Sequence, residues 1–155
     1  TIDTATLISQ GKLKEDCSDL RFTDSSGVNT IPYWIESGCN SSATKIWVKV
    51  PSIPTSGATI YMYYGNPSAI SASNGDAVFD FFDDFEDYNL GDLNGQGGWT
   101  ADGPWDVQNT IVKFGSQAIT NLASADSQVA EHTLTNQPQN IRVVIYTRVE
   151  TTSAG

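Results

Sequence analysis

The clearest hydrophobic pattern in the chain is alternation with a period of two. Ile46, Val48 and Val50 fall on one face of an extended segment while Trp47 and Lys49 fall on the other; Leu20 and Phe22 alternate in the same way with Arg21 and Thr23. The tract Ile60-Tyr61-Met62-Tyr63-Tyr64 runs β-favouring residues into Gly65-Asn66-Pro67, a stop that no helix interior tolerates. Turn chemistry separates these runs. Asp24-Ser25-Ser26-Gly27 precedes the extended segment Ile31-Pro32-Tyr33-Trp34-Ile35, and Pro54-Thr55-Ser56-Gly57 precedes residues 59–64. The pattern predicts two hairpins, 20–23 with 31–35 and 46–50 with 59–64, preceded by a short helix or turn around residues 7–14. Trp34, Trp47, Tyr61 and Tyr63 are expected in the core or between sheets, where their strands need aromatic cross-strand partners.

After Pro67 the composition shifts to the small-residue loop Ser68-Ala69-Ile70-Ser71-Ala72-Ser73-Asn74-Gly75, a natural boundary. This places one domain over residues 1–78 and a second over 79–155. The second carries β-like segments at 79–85, 106–114 and 116–122, a Gly-rich loop at 91–98 and a strong strand candidate at 141–149. No long-period repeat or heptad pattern interrupts this reading. The expected fold class is all-β, an antiparallel sandwich of jelly-roll type, with two incomplete sandwiches as one form of it.

Charge removes several functions. Eighteen acidic residues against eight basic ones give a net charge of −10, which opposes nucleic-acid binding and docking on anionic lipid. The apolar runs fall well short of the roughly 18–20 residues that span a bilayer, so membrane insertion is not expected. No basic segment followed by an apolar run stands at Thr1, so any secretion signal was removed or lies outside this chain. The two cysteines, Cys17 and Cys39, sit in polar surroundings and lack zinc-ligand spacing; this favours a surface disulfide and an oxidising compartment over two separate thiols.

Five motifs occur in order: Asp19-Leu20-Arg21-Phe22-Thr23-Asp24, Pro32-Tyr33-Trp34-Ile35-Glu36, Ile46-Trp47-Val48-Lys49-Val50-Pro51, the run from Ile60 to Pro67, and Ser73-Asn74-Gly75. Over roughly the first half, the chain resembles the domain of unknown function twenty-three forty-one. That resemblance implies a β-sandwich from bacterial or archaeal extracellular and cell-surface proteins, often beside lectin-like sandwiches, and it brings no catalytic residues with it. It also implies that the chain enters the domain partway through. From Phe79-Asp80-Phe81-Phe82-Asp83-Asp84-Phe85-Glu86 to Gly98-Trp99-Thr100 the chain resembles the opening of a concanavalin-A-like jelly roll, a fold about twice as long. Sheets cut short in this way leave strand edges for another copy or a neighbouring domain to complete.

Two constellations can carry chemistry. Asp80, Asp83, Asp84, Glu86 and Asp87 crowd five carboxylates into eight residues, either as a calcium site or as a solvated acidic edge. Asp84 and Glu86 also raise a glycoside-hydrolase fragment as an alternative, although the Glu-x-Asp-x-Glu type of pattern is missing. Trp99 and Trp105 flank a Gly/Pro loop, with Asp102, Asp106 and Asn109 nearby, and form either a glycan platform or caps on the core. His132 has no Ser or Cys motif to make it a general base and is expected at the surface. These readings converge on a non-catalytic extracellular module for adhesion or recognition, with polysaccharide as the ligand and calcium as the candidate ion. The alternative is a structural subunit of a surface layer or filament, assembled by strand complementation.

Overall fold

Extended segments in this chain are short, and turn residues decide where each begins and ends. The computed structural model describes residues 1–121, 128–134 and 143–147. Among the described residues the chain is all-β, with antiparallel sheets and two short helices, and it divides into two units, Thr1–Asp83 and Asp84–Gly155.

In the first unit, helix α1 (Thr4–Ser9) starts at Asp3, whose carboxylate accepts from the Thr6 amide at 3.0 Å and the Thr6 hydroxyl at 2.7 Å. Those bonds hold the Asp3 carboxyl below its ordinary pKa, the amide being the main cause. The helix lies earlier than the predicted 7–14 because Asp3 caps it and Gly11, at φ +67°, turns the chain away. Four strands follow: β1 (Arg21–Thr23), β2 (Tyr33–Ser37), β3 (Lys45–Val48) and β4 (Tyr61–Tyr63). Helix α2 (Gly75–Val78), capped by the Asn74 side chain, ends at Phe79, and the strand expected over 79–85 does not form.

The strands pair differently from the two predicted hairpins. β2 pairs with β3, and β1 pairs with β4, in antiparallel registers. The turn at Asp24 forms as expected, with the Gly27 amide donating to the Asp24 carbonyl at 3.0 Å. Beyond it, only the Thr23–Thr30 bridge joins the returning chain to β1. Side-chain alternation explains the choice. Phe22 opposite Met62, and Tyr33 and Ile35 opposite Val48 and Ile46, turn their apolar faces toward one core. Leu13, Cys17, Leu20, Phe22, Ile31 and Tyr33 are its buried members, with Leu7 and Ile8 of α1 packed against it.

The disulfide joins Cys17 to Cys39, but it is not the surface staple the polar neighbours suggested: Cys17 is wholly buried. Cys17 opens a turn at φ 56°, its carbonyl accepting from the Leu20 amide at 3.2 Å, and its neighbours Ser18 and Asp19 are buried with it.

Tyr33 occupies the centre of this core. Its O–H donates to the Leu20 carbonyl at 2.8 Å, its ring lies 5.2 Å from that of Phe22, and burial raises its pKa above the ordinary phenol value. With a raised folded pKa, the native state keeps a proton that the unfolded chain releases. The associated stability is therefore complete below about pH 10 and is lost as the pH climbs through the folded value. Tyr33→Phe is expected to lose about 1 kcal/mol at neutral pH and to show a shallower alkaline decline than the wild type. Urea unfolding on both sides of pH 10 checks this, and parallel alkaline slopes would refute it.

In the second unit, β5 (Gly91–Asp92), β7 (Trp105–Gln108) and β8 (Ala118–Asn121) form one sheet, and β6 (Trp99–Ala101) with β9 (Ala130–His132) forms another. Leu93 and Val107 are its buried apolar side chains among the described residues. β7 takes up only residues 106–108 of the candidate at 106–114, the rest being bends and loop, while β8 takes up residues 118–121 of the candidate at 116–122. Of the candidate at 141–149, only residues 143–147 are described; among the described residues they are assigned to no strand, Val143, Val144, Ile145 and Tyr146 are exposed, and the Tyr146 ring lies 5.1 Å from that of Phe114. No helix among the described residues is long and apolar enough to cross a membrane.

Candidate functional site

The β1–β4 ladder has two unlike faces. Phe22 and Met62 point into the core, so Arg21, Thr23, Tyr61 and Tyr63 occupy the opposite face. There Tyr61 and Tyr63 are each 47% exposed, and Tyr64 beside them is also exposed. This corrects the expectation that Tyr61 and Tyr63 lie in the core. β-propensity marks both as strand residues, but Met62 takes the inward position and leaves its two neighbours outward. The backbone positions of residues two apart on a strand lie about 6.4–6.8 Å from each other on the same face, so the pair forms a short aromatic strip.

The ground beneath the strip is fixed. The Arg21 guanidinium donates to the Ser18 carbonyl at 3.1 Å and to the Ile70 carbonyl at 2.7 Å. The Lys14 ammonium donates to the Ala69 carbonyl at 2.9 Å. At the Arg21–Tyr63 end of the ladder the buried Asp19 carboxylate accepts from the Lys14 amide at 3.0 Å and from the Gly65 amide at 2.6 Å. Beside it opens a hollow of about 220 Å³, lined by Gly11, Lys12, Leu13, Lys14, Asp19, Gly65 and Pro67. Sequence reasoning passed over this hollow, because Asp19 looks like any acidic residue ahead of a strand. The available signal was Gly65: its φ of +96° brings its backbone to the carboxylate, and a Cβ there would lie 3.4 Å from the Lys12 carbonyl oxygen.

The other face of the β2–β3 sheet is also covered. Trp34 pairs with Trp47 across the strands, and both pack edge-on against Phe79, with Phe82 stacked beside it. A bulge between Ile35 and Ser37 leaves Glu36 as the extra residue. The buried Glu36 carboxylate accepts from the Lys45 ammonium at 2.9 Å and from the Trp47 indole N–H. Trp34 and Trp47 thus lie in packed positions, as expected, and Glu36 orients one of them.

The structure places the five predicted ligand residues at separate positions of the second unit. Trp99 lies on β6, 5.9 Å from Phe85 and 5.5 Å from the His132 ring. Trp105 lies on β7 in the other sheet, on the same side as the buried Val107. Its indole N–H is buried and has no hydrogen-bond partner among the described residues. The Asp102 carboxylate accepts from the Val129 amide, and its own amide donates back to the Val129 carbonyl at 2.9 Å. Asp106 sits opposite Thr120 within the sheet, and Asn109 is exposed beyond the end of β7. Trp99 and Trp105 thus belong to strands of two different sheets. His132 is not a free surface side chain: its Nε2 lies 3.0 Å from the Gly97 carbonyl oxygen.

Among the described residues no group of three or more His, Cys, Asp and Glu side chains is placed to hold an ion. Residues 79–87 form no strand, and two of their carboxylates accept from backbone amides. Asp84 accepts from the Glu86 amide at 3.3 Å. Glu86 accepts from the Ser116 amide at 2.7 Å and the Gln117 amide at 2.9 Å, an approach allowed by Gly115, where a Cβ would collide with its carboxylate. Asp80 and Asp87 are exposed, and Asp83 is half-buried.

Residues 16–107 match the family described as Domain of unknown function (DUF2341). No curated protein and no solved structure matches the chain. The match includes both cysteines, Asp19, the tyrosine strip and Gly65, and runs beyond Asp83 to include Trp99 and Trp105. It takes in well over half of the 155 residues, and the chain therefore belongs to the DUF2341 family.

Proposed function

We propose that this chain is a non-catalytic recognition module of an extracellular or cell-surface protein, with polysaccharide as its ligand class. The observation that carries this reading is the outward pair Tyr61 and Tyr63, each 47% exposed on a strand whose inward residue, Met62, packs against the core. Tyrosine offers a flat apolar face and a polar tip at low side-chain entropy cost. Two such rings on a rigid strand suit the apolar faces of sugar rings. The disulfide supports an oxidising location, and the net charge of −10 favours neutral over acidic glycans. The resemblance of the second unit's opening to a concanavalin-A-like jelly roll belongs to the same reading.

The exposed run Val143, Val144, Ile145 and Tyr146 favours a second reading, a filament subunit completed by strand exchange. One experiment addresses both. Binding of soluble xylan, mannan, β-glucan and cellulose oligomers is measured on the wild type and on Tyr61→Ala/Tyr63→Ala, with light scattering across the same concentrations. The recognition reading expects a monomer that binds at least one glycan, with a loss of roughly tenfold or more in the double variant, about 1.4 kcal/mol or more. Unchanged affinity would refute the role of the strip. Reversible polymers without glycan binding would replace recognition with assembly.

A further inference from the structure

The hollow at the end of the β1–β4 ladder carries a step beyond the aromatic strip. Its volume of about 220 Å³ lies below the roughly 300–1,000 Å³ of sites that enclose a whole ligand, so it suits one ring-sized group of a larger molecule. Its floor is the Asp19 carboxylate, 3% exposed. An ionised carboxylate has about four lone-pair positions, and two bonds are given to the Lys14 and Gly65 amides. The rest of its acceptor capacity suits O–H or N–H donors entering the hollow.

The lining decides between them. Lys12 and Lys14 share the hollow with Asp19, so a cationic guest meets two ammonium-bearing side chains and an anionic guest meets a carboxylate. A neutral, hydroxyl-rich guest meets neither penalty: its hydroxyls donate to Asp19 and accept from Lys12. Lys14 is held by the Ala69 carbonyl and acts as wall. Leu13 and Pro67 supply apolar surface for the C–H face of a ring. The hollow is pre-formed: the Gly11 and Lys12 amides donate to the Ile8 and Leu7 carbonyls at 2.8 and 3.0 Å, the Asp19 carboxylate accepts from Lys14 and Gly65, and the Lys14 ammonium is held by the Ala69 carbonyl.

We infer that this hollow is a specificity subsite for a single neutral sugar ring, adjoining the Tyr61–Tyr63 strip. This rests on the polysaccharide reading above and adds to it where discrimination between glycans resides. The test follows the backbone amide NMR signals of the wild type during titration with cello-, xylo-, manno- and laminarihexaose, and compares affinities for Lys12→Ala and Tyr61→Ala/Tyr63→Ala. Lys12 is exposed, so its truncation leaves the fold in place, and Asp19→Asn serves as the second variant where its spectrum remains native. The expected result is that Gly11, Lys12 and Gly65 shift together with Tyr61 and Tyr63, and that Lys12→Ala weakens binding fivefold or more. Shifts confined to Tyr61 and Tyr63, with Lys12→Ala neutral, would overturn the subsite and leave the strip standing. Shifts at the hollow with a neutral tyrosine double variant would keep the subsite and remove the strip. Absence of shifts with all four hexasaccharides would overturn both.

Discussion

Reduction of the Cys17–Cys39 disulfide is expected to lower the stability of the first unit by about 3 kcal/mol, on the chain-entropy cost of opening a loop of this size, with a sequence separation of 22. Structure adds to the polymer argument. Cys17 is wholly buried beside Leu13, Leu20 and Phe22, so reduction leaves a thiol within the core, whereas Cys39 is at its edge. Cys39→Ser should therefore lose the cross-link alone, while Cys17→Ala should lose the cross-link and leave a small void. The order of stability expected in urea unfolding is oxidised wild type, then Cys39→Ser near the reduced wild type, then Cys17→Ala. Coincident curves for oxidised and reduced protein would show that the bond does not stabilise the fold. They would also remove the disulfide's support for an oxidising location.

The effect has a bearing on the proposed site. The loop closed by the disulfide contains β1 and β2, and β1 is the strand on which Tyr61 and Tyr63 are registered. Asp19, the floor of the hollow, lies two residues from Cys17. Loosening this loop should therefore weaken ligand binding as well as stability, without touching a contact residue.

What could be read from the sequence, and what could not, follows the range of the interactions. Local chemistry was legible. Asp24-Ser25-Ser26-Gly27 and Pro54-Thr55-Ser56-Gly57 make turns because their amides and carbonyls bond within a few residues: the Gly27 amide to Asp24 and the Gly57 amide to Pro54. Alternation was legible as well, since Phe22, Ile46 and Val48 all face the core. Strand partners were not, because pairing β1 with β4 is settled by tertiary burial across some forty residues, which no local window contains. The same limit explains Tyr61 and Tyr63: propensity states that a residue suits a strand, while the layers around it decide which face is covered. Glu36 was hidden by a bulge that shifts the register by one residue. Five carboxylates crowded along the chain leave a calcium site and a solvated acidic edge both open from sequence; in the structure Asp84 accepts from a nearby amide and Glu86 from two amides about thirty residues on, contacts that no local window contains. Ser73-Asn74-Gly75, read as loop, contains the Asn74 cap of α2; short polar residues serve both roles, and only the helix that follows distinguishes them.

Leu20→Ala is expected to have the larger single-residue effect, about 3–5 kcal/mol in the first unit, because Leu20 is wholly buried and ringed by Cys17, Phe22 and Tyr33. The lost transfer energy of the side chain is only part of that cost. The site cannot collapse easily: the Leu20 carbonyl receives the Tyr33 O–H at 2.8 Å and also the Arg21 guanidinium, the disulfide holds Cys17, and the neighbouring strand is paired to β4. A cavity held open in this way retains its full penalty. Leu7→Ala offers the contrast. Leu7 is half-buried on α1 at the periphery of the same core, where the helix can shift inward, so its loss should cost about 1 kcal/mol. Urea unfolding followed by amide exchange at Phe22, Tyr33 and Met62 measures both variants. Equal losses would mean that the core is plastic at Leu20; a native-like Leu20→Ala would mean that α1, rather than the β1–β4 and β2–β3 sheets, holds the unit together.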